Sequence, residues 1–490
     1  MQKIFPWLIT VSICLMVVLN MCSTQVIPEH QMTTPEQIQT LIKTGEFTAA
    51  TESIEHYLQQ PALSETDRRA LLFDIERMQR IRKDFGATEQ SVVEFIREYY
   101  PDVTQADLLR WESARSIEVR LIDGQKHYFD RAARNLFRID PEMKQIWSAA
   151  HPDKQITSGS GTKLDLDVHN AAVIQAATLS QTQYVEPKRI RIKQSVEVNA
   201  NAVPPGEIIK CWIPYPRHIA GRQERIKFIG SMPNQHTLAP ENALQRTIFM
   251  EKTAIADATT LFTVEYELTT HGVHQTIDPD SVTALKPGNV LQTYLQEKAP
   301  HIVFTPELRK LSRSIVGDEQ NPYRVAQLLF AWIDEHTPWA SAREYSTIKC
   351  IPEYAFENGH GDCGIQTLLF MTLCRMNGIP TRWQSGWELQ PPDDSMHDWG
   401  MIYFEPYGWV PMDITYGLRK SDDSILKWFY LSGMDSYRII FNDGYGESFF
   451  PNKTHFRSET VDSQRGEVEW AGDNLYFDQW SWNFDWEILE

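Results

Sequence analysis

The stretch that decides the fold is GDCGIQTLLFMTLCRMNGIP, residues 361–380. Its middle part is apolar at the spacing of a buried helix, and the dipeptide NG at 377–378 is typical of a helix end. Asp362 is a residue type that commonly caps a helix start, so Cys363 is predicted to lie in the first turn. A thiol there feels the positive end of the helix dipole, which favours the nucleophilic thiolate.

A histidine and an aspartate follow on two strand-like runs. His397 begins the run WGMIYF, and Asp413 lies in the next run, WVPMDITY. Side chains on neighbouring antiparallel strands can hydrogen-bond only if they face the same side, which here requires an odd number of loop residues. A three-residue loop, Glu405–Tyr407, meets this condition, and Asp398 then points away from the face of His397. The pattern therefore predicts a pair between His397 and Asp413.

Together these segments resemble the transglutaminase-like superfamily. The similarity is carried by GDC at 361–363, HDW at 397–399, YGWVPMD at 407–413 and the preceding helix AQLLFAWIDEHTPW. The resemblance implies a papain-like fold, in which a helix bearing the cysteine packs on an antiparallel sheet bearing the other two residues. It also implies that Cys363 is the nucleophile, His397 the general base and acid, and Asp413 the residue that orients the imidazole.

A zinc site is an alternative role for this cysteine, because Cys350, His360, Cys363 and Cys374 lie close together in the sequence. On one helix, however, Cys363 and Cys374 would be about 16 Å apart at a rise of about 1.5 Å per residue. They can then neither share a metal ion nor form a disulfide. We expect neither a metal nor a cofactor, because three side chains complete the chemistry.

Amide chemistry through a thioester also needs donors for a developing oxyanion. Backbone N–H groups at the start of the Cys363 helix are the simplest source. Trp339 and Tyr345, in the preceding segment, are further candidates for binding the substrate or the oxyanion. Trp387 lies in SGWELQPPDDSM, just before His397. Its prolines and aspartates predict an exposed loop, so Trp387 is a candidate to line the substrate cleft.

The fold class predicted for the whole chain is multidomain α+β. Residues 26–180 have mainly helical spacing, and the period changes to two over 184–285, which predicts a β-sandwich-like domain. The catalytic core is expected at 290–420. Residues 421–490 are dense in aromatic side chains, which predicts an extension that packs on the core. An aromatic surface for carbohydrate is the alternative for this extension.

The N-terminus has the features of an export signal. Lys3 precedes an almost wholly apolar run, Ile4–Leu19, so residues 1–22 are predicted to be a secretory signal peptide. Cys22 follows LNM, which resembles a bacterial lipoprotein signal, although Met21 replaces the usual small residue. We therefore expect export across the inner membrane, to the periplasm or as an outer-membrane lipoprotein. A lipid on Cys22 would then attach the protein to a membrane.

Composition limits the partners of this chain. It has 490 residues and a formal net charge of −18, which argues against nucleic acid as a partner. The expected partner is a peptide or protein substrate. The leading hypothesis is a secreted cysteine-dependent enzyme that hydrolyses amide bonds through a thioester, as a peptidase or amidase. The alternatives are a cross-linking transglutaminase and a non-catalytic surface protein that binds glycan or peptide.

Overall fold

The computed structural model describes residues 34–152, 164–286, 288 and 290–489. The predicted signal peptide and Cys22 lie outside these residues, so both remain predictions. Across the described ranges, none of the helices has the length and apolar character needed to cross a membrane.

The N-terminal region consists of short helices and one β-hairpin. The helices are α1 Pro35–Thr44, α2 Phe47–Tyr57, α3 Glu65–Asp84, α4 Glu89–Arg97, α5 Gln105–Ser113, α6 Ala132–Ile139, α7 Pro141–Ala150 and α8 Leu166–Ser180. The hairpin strands are β1 Val119–Ile122 and β2 Gln125–Tyr128. A buried cluster that includes Phe47, Trp111 and Phe137 gives most of this region a hydrophobic core of its own.

Strands follow the helical region. They are β3 Tyr184–Val198, β4 Ile208–Pro214, β5 Gln223–Met232, β6 Thr237–Leu238, β7 Thr247–Thr253 and β8 Thr260–His274. Most of β3 alternates buried and exposed side chains, as expected for a strand with one face on a core.

The central region combines four helices with three strands. They are α9 Pro306–Val316, α10 Pro322–His336, α11 Ile351–Asn358, α12 Cys363–Met376, β9 Thr381–Gln390, β10 Asp393–Phe404 and β11 Gly408–Met412. In α12 every residue from Gly364 to Arg375 is buried, and the helix contacts both α11 and the sheet strands β9 and β10. A helix that is enclosed on all sides is a rigid support for the residue at its N-terminus.

The C-terminal segment adds further elements. They are α13 Ser424–Lys427, α14 Phe429–Ser432, β12 Gly433–Met434, β13 Arg438–Asn442, β14 Glu467–Glu469, β15 Asn474–Leu475 and β16 Trp480–Leu489. Strand β13 pairs with β9, which gives the core sheet the order β11-β10-β9-β13. The core is thus an antiparallel sheet packed on α12, as the resemblance to the transglutaminase-like superfamily implies.

The remaining C-terminal strands belong to the sandwich. One sheet has the order β12-β8-β3-β16, with β5 also paired to β8, and the other has the order β15-β14-β4-β7-β6. Val196 and Phe262 of the first sheet and Ile213 and Ile248 of the second lie in one buried cluster. The segment 421–490 is therefore divided between the core sheet and both sandwich sheets. Because these paired strands are so distant in sequence, no local pattern predicts their pairing.

The last strand should contribute strongly to stability. Phe484 is 8% exposed and stacks on Trp387 with ring centroids 4.1 Å apart. Phe484→Ala should lower the free energy of unfolding by about 3–5 kcal/mol, since it removes a buried ring. Chemical denaturation followed by circular dichroism measures this loss. The control, Phe450→Ala, removes a ring that is 48% exposed and should cost much less. Equal losses in the two variants would contradict the assigned packing of β16.

Candidate active site

Cys363 occupies the first turn of α12, as the sequence predicts. Asp362 is the N-cap residue, and its Oδ1 accepts a hydrogen bond from the backbone N–H of Ile365 at 3.1 Å. The residue after the cysteine must be glycine, because a Cβ on Gly364 would lie 2.2 Å from the hydroxyl oxygen of Tyr345. The motif DCG therefore combines a helix cap, a half-buried thiol and room for a closely packed tyrosine.

His397 and Asp413 are brought together by the hairpin of β10 and β11. Phe404 pairs with Gly408, so the loop has the three residues that the parity argument requires. His397 Nε2 lies 2.8 Å from Asp413 Oδ2, and both side chains are buried. The predicted pair is present in the structure.

Arg438 of β13 also contacts Asp413. Its Nη1 donates to the same Oδ2 at 2.8 Å, and the backbone N–H of Thr415 donates to Oδ1 at 3.1 Å. Burial alone would raise the pKa of Asp413, but His397 and Arg438 reverse this and hold it below its usual value. Asp413 is therefore a carboxylate, so the hydrogen bond uses a proton on His397 Nε2 and leaves Nδ1 outside this pair.

Cys363 and His397 line one cavity of about 360 Å³. Its walls include residues from outside the core, because Arg131 belongs to the helical region and Trp482 to the last strand. Trp339 and Tyr345, two of the predicted substrate or oxyanion candidates, also line it. The cavity is thus closed by segments on both sides of the core.

Trp387 does not line this cavity, contrary to the prediction. Its segment forms β9 and β10 joined by a turn at 391–392, not an exposed loop. Because neighbouring side chains on a strand face opposite sides, Glu388 lines the cavity while Trp387 packs in the sandwich core. The Trp387 indole N–H donates to the backbone oxygen of Gln464 at 3.0 Å.

The thiol makes a contact that the sequence did not reveal. Cys363 Sγ lies 3.4 Å from Asp398 Oδ2, and the hydroxyl of Tyr345 lies 2.9 Å from that same oxygen. The side-chain amide of Gln464 donates to the other oxygen of Asp398 at 2.8 Å. Asp398 does not pair with His397, as the register argument predicts, but it belongs to a second polar cluster beside the sulfur.

The contacts in this cluster require one more proton than a tyrosine hydroxyl and two ionised carboxylates together carry. The Tyr345 hydroxyl has one proton, yet it lies 2.9 Å from oxygens of both Asp362 and Asp398. It can donate to only one of them, so the other contact needs a proton on the carboxyl group. Burial, with the nearby charges of Asp462 and Asp362, raises the pKa of Asp398 well above its usual value. Burial raises the pKa of Asp362 to about 6.

The surroundings of Cys363 oppose ionisation of its thiol. Burial raises the pKa of Cys363 well above its usual value, and the charges of Asp398 and Asp362 add to this effect. The backbone N–H of Asp398 acts in the opposite direction. Burial and the two carboxyl groups thus act against the helix dipole, which by itself favours the thiolate.

The other cysteines in the described part of the chain lie outside this cavity. Cys374 is fully buried on α12, and Cys211 is fully buried in the sandwich. Cys350 is half-buried, and burial raises its pKa to about 11. Over the described part of the chain, no three His, Cys, Asp or Glu side chains are grouped so that they could hold a metal ion.

Removing the charge of Asp398 should increase the reactivity of Cys363. In Asp398→Asn the pKa of Cys363 should fall, so alkylation by iodoacetamide should accelerate by about tenfold at pH values where Asp398 is ionised. The rate is measured by mass spectrometry of the Cys363 peptide between about pH 5 and about pH 9. Asp393→Asn, on the same strand but outside the cavity, is the control. An unchanged or slower rate in Asp398→Asn would show that Asp398 does not oppose the thiolate.

Arg438 should be essential to the fold around Asp413. Its side chain is fully buried and also donates to Asp435 through Nε at 2.9 Å. Arg438→Met leaves two buried carboxylates without their cation, so the free energy of unfolding should fall by about 3–5 kcal/mol. Thermal and urea unfolding measure the loss. Arg313→Met, which changes an exposed arginine on α9, should cost little. A comparable loss in the control would refute the special role of Arg438.

Comparison with known proteins places the core in a family. Residues 309–414 match the sequence model of the transglutaminase-like superfamily. No curated protein matches the chain. Among solved structures, a candidate cysteine protease from Cytophaga hutchinsonii is similar over 63% of this chain and 92% of its own, with 13% identity and a TM-score of 0.44.

Two further solved structures share less of the architecture. The periplasmic domain of TgpA from Pseudomonas aeruginosa covers 49% of this chain and 91% of its own, with 14% identity and a TM-score of 0.24. A candidate protease from Parabacteroides distasonis covers 53% and 71%, with 9% identity and a TM-score of 0.20. The segment matched by the family contains Cys363, His397 and Asp413. Residues 309–414 therefore form a transglutaminase-like core.

Proposed function

We propose that this protein hydrolyses amide bonds in peptides or proteins through a thioester on Cys363. The observation that carries the proposal is the hydrogen bond of 2.8 Å between His397 Nε2 and Asp413 Oδ2, in a cavity that His397 and Cys363 both line. The match of this segment to the transglutaminase-like superfamily supports a thiol enzyme.

The first half of the reaction forms the thioester. His397 Nδ1 takes the proton of Cys363 as the sulfur attacks the substrate carbonyl carbon, which forms the S–C bond. The imidazolium then gives this proton to the substrate nitrogen, the C–N bond breaks, and the amine leaves. Asp413 keeps the ring in the required tautomer and stabilises the imidazolium. Because burial and nearby carboxyl groups raise the pKa of the thiol, His397 acts as a general base during the attack.

The second half returns the enzyme to its resting state. His397 Nδ1 removes a proton from water, and the hydroxide oxygen bonds to the thioester carbon. The S–C bond breaks, the carboxylic acid leaves, and the sulfur recovers its proton from the imidazolium. An amine in place of water would give a cross-linked amide by the same steps. We propose hydrolysis because water needs no dedicated acceptor site.

The oxyanion needs donors close to the sulfur. We assign this role to backbone N–H groups in the first turn of α12, which point away from the helix and towards its N-terminal end. Tyr345 is a poor candidate, since its hydroxyl proton is already used between Asp362 and Asp398. Trp339 lines the cavity next to the helical region and is better placed to contact the substrate.

The proposal is tested with defined peptide mixtures and mass spectrometry. The wild type should release clipped products, Cys363→Ala should release none, and His397→Ala should be slower by about 10²- to 10⁴-fold. A thiol-directed amide warhead should label Cys363, and labelling should decrease in His397→Ala. Cys350→Ala removes a half-buried cysteine outside the cavity and should keep full activity.

Three other outcomes of these experiments would each contradict the proposed hydrolysis. Isopeptide products in place of clipped peptides would establish cross-linking. Clipping that persists in Cys363→Ala would exclude the thioester. No turnover, together with ordinary thiol reactivity of Cys363, would favour a protein that binds peptide or glycan without catalysis.

A further inference from the structure

A second cavity lies apart from Cys363. It has a volume of about 540 Å³, larger than the cavity at the cysteine, and falls within the range typical of small-molecule sites. Helix α3 forms one wall, residues 298–301, 346, 348 and 349 form another, and the C-terminal segment closes it with residues such as Tyr445 and Phe456. The cavity thus lies between the helical region, the core and the C-terminal segment.

The interior of this cavity is mainly apolar. On α3, the residues Ala70, Phe73 and Arg77 recur at steps of three and four, so one face of the helix borders the space. The rings of Phe73 and Phe456 pack with centroids 5.0 Å apart. Such a surface favours the hydrocarbon part of a ligand.

The charged groups around the cavity are all positive. Its lining contains two arginines and two lysines and no aspartate or glutamate. Arg77 is paired with Asp74, and Lys298 with Glu447. The guanidinium of Arg69 lies over the ring of Phe456, and the ammonium of Lys349 donates to the side-chain oxygen of Gln39. Neither contact neutralises the cation, so two positive charges stand at this cavity on a chain of net charge −18.

A buried polar side chain also reaches this cavity. His301 is 2% exposed, and its Nδ1 has no hydrogen-bond partner among the residues that the structure describes. Burial lowers the pKa of His301 to about 4, so the ring is neutral at neutral pH. A neutral imidazole can donate one hydrogen bond and accept another, which suits a polar group on a ligand.

We propose that this cavity binds an amphipathic anion, with an alkyl chain against Phe73 and Phe456 and a carboxylate near Arg69 and Lys349. The apolar lining accounts for the chain, and the two cations, which have no carboxylate partner among the described residues, account for the head. The site is independent of the chemistry at Cys363, so it does not depend on the proposed hydrolysis.

The test is calorimetric titration of the full chain with decanoate. Decanoate should bind saturably with one molecule per chain. Decanol, which lacks the charge, and acetate, which lacks the chain, should bind much more weakly. The double variant Arg69→Gln/Lys349→Gln should weaken decanoate binding by about tenfold, whereas Lys310→Gln, a lysine outside the cavity, should leave it unchanged.

A second variant tests the location without removing charge. Ala70→Trp should fill the cavity and abolish binding, while Ala106→Trp places the same side chain at an exposed position on α5 and should bind normally. Thermal unfolding of each variant shows whether it is folded. No saturable binding by folded wild type, equal binding of decanol and decanoate, or normal binding by folded Ala70→Trp would each overturn the proposal.

Discussion

The site depends on the hydrogen bonds that the buried carboxylate of Asp413 accepts. The donors are His397 of β10, Arg438 of β13 and the backbone of Thr415. These donors come from the core hairpin, from the C-terminal segment and from the residues just after β11. A buried charge with one partner removed is strongly unfavourable, so these elements have to assemble together. The position of the imidazole is thereby fixed by the fold as a whole.

The raised pKa of the thiol has consequences for the chemistry. Thiolate is the form that reacts with oxidants and alkylating agents, so a raised pKa slows both reactions at Cys363. In the proposed mechanism, the proton passes to His397 as the sulfur attacks. The carboxyl groups of Asp362 and Asp398 oppose ionisation of the sulfur, whereas the pair of His397 and Asp413 is proposed to supply the base. Two adjacent residues of one strand, His397 and Asp398, are thereby proposed to have opposite effects on the sulfur.

Sequence patterns predicted the parts of the site that depend on local geometry. The helix start at Cys363 follows from a cap and an apolar period, and the pairing of His397 with Asp413 follows from the length of one loop. The contacts of Asp398, Arg438 and Trp387 depend on strands that pair across many residues. Arg438 appears in the sequence as one charge in an apolar strand, SYRIIF, and only the placement of β13 shows which carboxylates it meets. Trp387 was misplaced because proline and aspartate suggested a loop where the chain forms a hairpin.

The family segment alone does not make the complete site. Residues 309–414 supply the sulfur, the imidazole and the carboxylate, but Arg438 and Gln464 lie beyond them, as do Arg131 and Trp482 on the cavity wall. The side chain of Gln464 donates to Asp398 and to the backbone oxygen of His397, so the C-terminal segment also holds the strand that carries the base. The family segment thus carries the three residues of the proposed chemistry, whereas part of the cavity wall lies outside it. Under the proposed hydrolysis, selection among amide substrates would depend on the helical and C-terminal regions as well as on the core.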